Sequence, residues 1–152
     1  MREIFFMRKV AHYRSLLGVD KDAKLAQLKS IYRSSMKEWH PDRFHGNPQG
    51  QAEAEEKSRE VIEAYHFLVS INPETLALEL PGYRATIANA TLLDYQYDAA
   101  RLKVFFSDSS VYEFLSVPKA TYVKMINADS PGRFAKRHIY GNFPYRKISN
   151  AE

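Results

Sequence analysis

Three consecutive residues, His40, Pro41 and Asp42, place an imidazole, a ring-locked backbone and a carboxylate where a helical pattern ends. An imidazole and a carboxylate can form an acid–base pair. No nucleophile lies in register with them, and an exposed turn offers no burial to tune either group. His45 adds a third side chain of metal-ligand type, yet this spacing matches no ligating pattern. Neither a catalytic nor a metal site is expected. Pro41 disfavours the helical region for His40 and cannot donate to the helix ladder. The tripeptide therefore sits on a rigid, exposed turn, suited to insertion into a partner.

Upstream, Lys29, Arg33 and Lys37 are spaced i, i+4, i+8 and share one helical face. They could steer an acidic partner towards the turn. Equally, they could exchange surface ion pairs with Glu53, Glu56, Glu60 and Glu63, each worth about 0–1 kcal/mol. A second basic cluster lies near the end of the chain. Between Asp129 and Glu152 there is no acidic residue, while Arg133, Lys136, Arg137, Arg146 and Lys147 alternate with Phe134, Tyr140, Phe143 and Tyr145. Cations track phosphates and exposed aromatic rings stack on unpaired bases, so Arg133, Lys136, Arg137, Tyr140, Tyr145, Arg146 and Lys147 are candidates for binding single-stranded RNA or tRNA. The same composition also suits a solvated edge whose aromatic rings pack inward.

The elements that must position these residues fall into two textures. Phe6, Val10, Tyr13 and Leu17 form one helical stripe, closed by Gly18 in a left-handed stop. A second stripe runs Leu25, Leu28, Tyr32, Ser35 and Trp39. A third runs Ala54, Ser58, Val61, Tyr65 and Leu68, with the loop Phe44–Gly50 between them. This predicts an antiparallel helical hairpin with a first helix packed across it. Asn72-Pro73-Glu74 starts one short connecting helix. From Pro81 the texture becomes short aromatic and β-branched runs, "TLLDYQYD", "RLKVFFSD" and "SVYEFLSV", which read as a three-strand meander. A helix from Pro118 to Ala128 follows, ended by Asp129–Gly132.

The chain has 152 residues, net charge +4 and no cysteine, which excludes disulfides, zinc-thiolate sites and thiol nucleophiles. No segment approaches membrane-spanning length. A cytoplasmic protein without cofactor, enzymatic activity or membrane contact is expected. The fold class is α+β, with domains at 1–80 and 81–152 and the boundary near Leu80-Pro81-Gly82.

The first half resembles the J domain of DnaJ-type co-chaperones over about 11–68. "LGVDKDA" resembles the family's turn after its first helix. "YRSSMKEWHPDR" resembles its second helix and signature tripeptide, and "AEAEEKSREVIEAYHFL" its third helix. The resemblance implies a J-domain helical hairpin that docks on a DnaK-type ATPase chaperone and accelerates ATP hydrolysis, locking the partner onto a client protein. The implied docking residues are Lys29, Tyr32, Arg33, Lys37, His40, Pro41, Asp42 and Arg43. Four positions depart from the family. Ser34 and Glu38 stand where basic residues are common, and Ser35 and Ser58 stand where Leu and Phe are usual. Phe5 and Phe6 of the N-terminal extension are expected to cover the volume those serines leave.

The second half resembles the KTSC domain, named for the C-terminus of some lysyl-tRNA synthetases, over about 85–148. The matching residues are Tyr97-Asp98, Leu102, Val104, Phe106, Tyr112-Glu113-Phe114 in place of the family's central Tyr-x-Tyr, Val117-Pro118, Tyr122, Ala128-x-Ser130-x-Gly132, Phe134, Ile139 and Tyr145, with Phe114 a departure that removes one hydroxyl. This implies a small antiparallel β-meander with a helix, with RNA binding as a suggested role. Together the halves point to a co-chaperone whose second domain targets a client or RNA. The alternative is an RNA-binding or scaffold protein whose J-like hairpin is uncoupled from any chaperone.

Overall fold

The computed structural model describes residues 2–148, with side chains from Arg8 onward. The chain divides into two compact units, one spanning Arg8–Thr75 and another beginning at Leu76. Helices and one antiparallel sheet make it α+β, as the alternation of periods predicts.

The first unit holds α1 (Arg2–Leu17) from Arg8 onward, followed by α2 (Leu25–Trp39), a 3₁₀ turn (Pro41–Phe44) and α3 (Pro48–Ile71). The expected stripe of α1 is the buried one: Val10, Tyr13 and Leu17 all face the core. Gly18 then adopts a φ of 70°, which a side chain would make costly, and Val19 N–H donates back to the Arg14 carbonyl at 3.0 Å. Leu28 of α2 meets a buried face of α3 made of Ala54, Ser58, Val61, Ala64 and Leu68. Tyr13 packs against Phe67 at 5.0 Å, and Tyr32 stacks on Tyr65 at 4.1 Å. Buried Ser58 satisfies its hydroxyl locally by donating to the Glu55 carbonyl at 3.1 Å. Ser35 is half-buried. The side chains of Phe5 and Phe6, expected to cover these serines, lie outside the described residues.

Asn72 fixes two junctions at once. Its amide donates to the Ala23 carbonyl at 3.0 Å, and its oxygen accepts from Glu74 N–H at 2.9 Å, opening α4 (Pro73–Asn89). The expectation of a short connecting helix needs correction, because α4 runs for 17 residues straight through Pro81. Pro81 has no N–H for the Ala77 carbonyl. Both residues are exposed, so water can serve that carbonyl. Buried Tyr83 and Thr86 anchor the far half of the helix, and this packing outweighs the local cost of proline.

In the second unit, β1 (Leu92–Asp98), β2 (Arg101–Phe106), β3 (Val111–Phe114) and β4 (Tyr145–Lys147) form one antiparallel sheet in chain order. The fourth strand adds to the expected three. A further helix also appears: α5 (Lys119–Ile126) is followed by α6 (Pro131–His138). The Asp129–Gly132 stretch does stop α5, but it also starts α6. Ser130 Oγ accepts from Arg133 N–H at 3.3 Å, and Pro131 occupies the first turn.

Alternation places Leu102, Val104, Phe106, Tyr112 and Phe114 on one buried sheet face, joined by Tyr83, Met125 and Ala135 from the helices and by Ile139 just past α6. Each large apolar side chain so buried contributes about 1.5–3 kcal/mol. The β1–β2 turn is built from Ala99 and Ala100 with φ of 49° and 65°, a geometry that favours Asn-Gly. Among the described residues no helix is long and apolar enough to cross a membrane.

Candidate functional site

The end of α2 generates the site. His40 leaves the helix with φ −62° and ψ 130°, the extended conformation that a following proline favours. Pro41 then opens a 3₁₀ turn none of whose residues is buried. His40 Nδ1 accepts from Asp42 N–H at 3.2 Å, a bond that requires an unprotonated Nδ1 and leaves the ring proton on Nε2. Nδ1 also lies 3.6 Å from Asp42 Oδ2, but that carboxylate is 91% exposed, so the contact adds little. The Asp42 carboxylate thus projects into solvent from a turn held by its own backbone.

Tyr32, Arg33, Met36, Lys37, His40 and Arg43 line one open groove beside this turn. Ser34 and Glu38 line it too, which brings a hydroxyl and a carboxylate into an otherwise cationic and apolar surface. Lys29, Arg33 and Lys37 are exposed, and none pairs with Glu53, Glu56, Glu60 or Glu63 among the described residues. The ion-pair alternative therefore has no support in the geometry. The positive charge of α2 is presented to solvent rather than spent on α3. Tyr32 is held by its stack on Tyr65, so its hydroxyl edge is presented on a fixed ring.

The second candidate set divides. Arg133, Lys136 and Arg137 are exposed on α6, with Lys136 Nζ donating to the Ala88 carbonyl at 3.3 Å. Tyr140 is buried against Phe106 and Phe114. Tyr145 stacks on Tyr83 with ring centroids 3.7 Å apart. Tyr140 is enclosed, and one face of the half-buried Tyr145 is taken by Tyr83. Arg146 Nε donates to Glu113 Oε1 at 2.9 Å, and Arg101 Nη1 lies 3.6 Å from the same oxygen. Both arginines neutralise a buried carboxylate, while Lys147 is exposed. The inward packing of aromatic rings accounts for the tyrosines, and the cations of α6 remain as the exposed basic surface.

Burial also marks the tyrosines chemically. The Tyr83 hydroxyl is pushed up to about 12 by desolvation, partly offset by the facing Gly141 N–H, and Tyr140 is pushed up by the same cause. Neither hydroxyl completes a hydrogen bond. Asp108 is held below the usual carboxylate range by the Ser110 and Thr86 hydroxyls that donate to it, fastening α4 to the β2–β3 turn. Among the described residues no group of three His, Asp or Glu side chains could hold a metal ion.

Sequence reasoning missed Phe44, which stacks beside Trp39 across the tripeptide. Its signal was faint, because Phe44 belongs to no stripe and sits among loop residues.

Comparison with known proteins accords with this division. A DnaJ domain model matches residues 12–74 and a KTSC domain model matches residues 88–143. The chaperone protein DnaJ of Thermotoga petrophila is 41% identical over 61 residues, covering 40% of this chain and 16% of that protein. DnaJ of Thermoplasma volcanium is 46% identical over 56 residues, covering 37% and 14%. The chain spans only about one sixth of the length of these relatives. A crystal structure of the KTSC domain protein YPO2434 from Yersinia pestis is 33% identical and covers 39% of this chain and 86% of that one, with a TM-score of 0.37. The chain thus joins two families: residues 12–74 are a DnaJ domain and residues 88–143 a KTSC domain.

Proposed function

We propose that this protein is a co-chaperone that docks on a DnaK-type ATPase and accelerates its ATP hydrolysis. The observation that carries this reading is the exposed His40-Pro41-Asp42 turn beside an unpaired row of Lys29, Arg33 and Lys37. The cations draw in an acidic surface and set its register. The turn then presents a carboxylate and an imidazole whose geometry costs little further ordering on docking. The chain contributes contacts and no chemistry of its own, so it acts without cofactor and is not an enzyme. Its place of action is the cytoplasm, beside its ATPase.

The KTSC domain supplies the address, a client protein or RNA. The exposed cations Arg133, Lys136 and Arg137 support the RNA form, as a patch for phosphates with no inserted stacking ring. Filter binding to bulk tRNA at low salt checks this. Retention that weakens when the three are replaced supports RNA, and no retention removes it.

The co-chaperone reading is tested by single-turnover ATP hydrolysis with a DnaK-type chaperone, using the wild-type protein and His40→Gln. Acceleration by the wild type that vanishes in the variant is the expected result. No acceleration by the wild type with any DnaK-type partner of the same organism would leave a scaffold with an uncoupled J domain.

A further inference from the structure

The 3₁₀ turn poses a problem that its own backbone does not solve. In an α-helix the carbonyls of Lys37 and Glu38 would accept from the N–H groups of residues 41 and 42. Residue 41 is proline and has no N–H. Residue 42 has already given its N–H to His40 Nδ1. Two carbonyls at the end of α2 are therefore left without helical donors by the very tripeptide that ends it. Arg43 resolves both: its Nη1 donates to the Lys37 carbonyl at 3.0 Å and to the Glu38 carbonyl at 3.2 Å. The guanidinium thus folds back onto α2 as a cap.

Beyond it, Phe44 stacks on Trp39, with centroids 6.4 Å apart and planes 13° apart. These two rings flank the tripeptide in sequence, so their contact closes it into a loop. The far side of the seat is Gly50. A Cβ there would stand 3.1 Å from Phe44 Cδ1 and 2.7 Å from the Asn47 amide nitrogen, whose side chain caps α3. With no side chain at Gly50, the ring and the cap sit side by side, and a Cβ there would push on both.

We propose that Phe44, seated between Trp39 and Gly50 and joined by the Arg43 cap, is a positioning residue that holds His40-Pro41-Asp42 in its docking geometry. The proposal rests on the co-chaperone reading given above. It separates two roles within one surface. Lys29, Arg33 and Lys37 set how tightly the partner is held, whereas Phe44 and Arg43 set how well the held turn acts.

The test uses the full-length protein in two measurements. In the first, acceleration of ATP hydrolysis is followed against co-chaperone concentration for wild type, Phe44→Ala, Phe44→Tyr and Gly50→Ala. Phe44→Ala and Gly50→Ala are expected to lower the maximal acceleration by about tenfold, short of the hundredfold that an ångström of misplacement can cost. The half-saturating concentration stays within about twofold, and Phe44→Tyr, which keeps the ring, restores the maximum. A loss that appears only in half-saturation, or an unchanged maximum in Phe44→Ala, overturns the proposal. The second measurement needs no partner: amide hydrogen exchange at Asp42 and Arg43 in the wild type and Phe44→Ala. Exchange faster by about tenfold at these two amides, with the α3 amides unchanged, is expected. Unchanged exchange overturns the proposal even where the wild type fails to accelerate any ATPase, an outcome that would count against the co-chaperone reading alone.

Discussion

The tip of the α2–α3 hairpin and the sheet of the KTSC domain use aromatic and charged residues in opposite ways. At the tip no residue of the turn is buried, and its hydrogen bonds all run between residues at most six apart. In the sheet, Phe114 and Tyr112 are fully enclosed, and even the charge of Glu113 is buried beneath two arginines. The tip displays its chemistry and draws its geometry from neighbours in sequence. The sheet hides its chemistry and draws stability from residues far apart in sequence. A surface meant for a partner and a surface meant for the core can therefore have the same composition, and only packing separates them.

Substitutions can break or sharpen this contrast. Phe114→Ala removes a fully buried ring and should cost about 3–5 kcal/mol, read from the urea midpoint of the KTSC domain. A loss under about 1 kcal/mol would mean that the sheet is not the store of stability described here.

Alkaline titration comes next. Tyr83 has a pKa of about 12 in the folded protein against 10.0 for an ordinary tyrosine. The folded state holds its proton more tightly, so the unfolded state loses it first as pH rises. This group's contribution is complete below pH 10 and is lost as pH climbs from 10 towards 12. Tyrosinate absorbance should show a late-titrating fraction that shrinks in Tyr83→Phe together with Tyr140→Phe, leaving the smaller delay of Tyr97, Tyr112 and Tyr145. A spectrum in which all tyrosines titrate together would contradict the buried cluster.

Arg146→Ala strips the close partner from Glu113 and should cost about 1.5–3 kcal/mol, read from the urea midpoint. Replacing Ala99-Ala100 with Asn-Gly should stabilise the β1–β2 hairpin by about 1 kcal/mol, since both positions have positive φ. Asp42→Asn has the smallest expected effect on stability, within about 0.5 kcal/mol, while removing the acceleration of ATP hydrolysis. If it destabilised the fold as strongly as a core change, the separation of display from support would fail.

The parts legible in the sequence were those where one local rule dominates. Pro41 dictated where α2 ends, Gly18 where α1 ends, and the spacing of Val10, Tyr13 and Leu17 which face turns inward. The rest depended on distant partners. Pro81 looked like the end of a short helix because its missing N–H is a local fact, whereas the burial of Tyr83 and Thr86 that carries α4 past it is not. Ser130-Pro131 was read only as the end of α5, although the same pair is a helix start. β4 has three residues and too little alternation to be seen. Tyr140 and Tyr145 looked like stacking platforms because nothing in their sequence neighbourhood reveals that Phe114 and Tyr83 occupy their faces.

The stack of Trp39 on Phe44 has a spectroscopic consequence. The chain has a single tryptophan, and it adjoins His40. Excited at the red edge, where tyrosines are silent, the whole protein emits from this one indole at the tip. Docking on a partner, opening of the turn or loss of the Phe44 ring should each change that emission, so the unlabelled protein carries its own optical reporter of the docking turn.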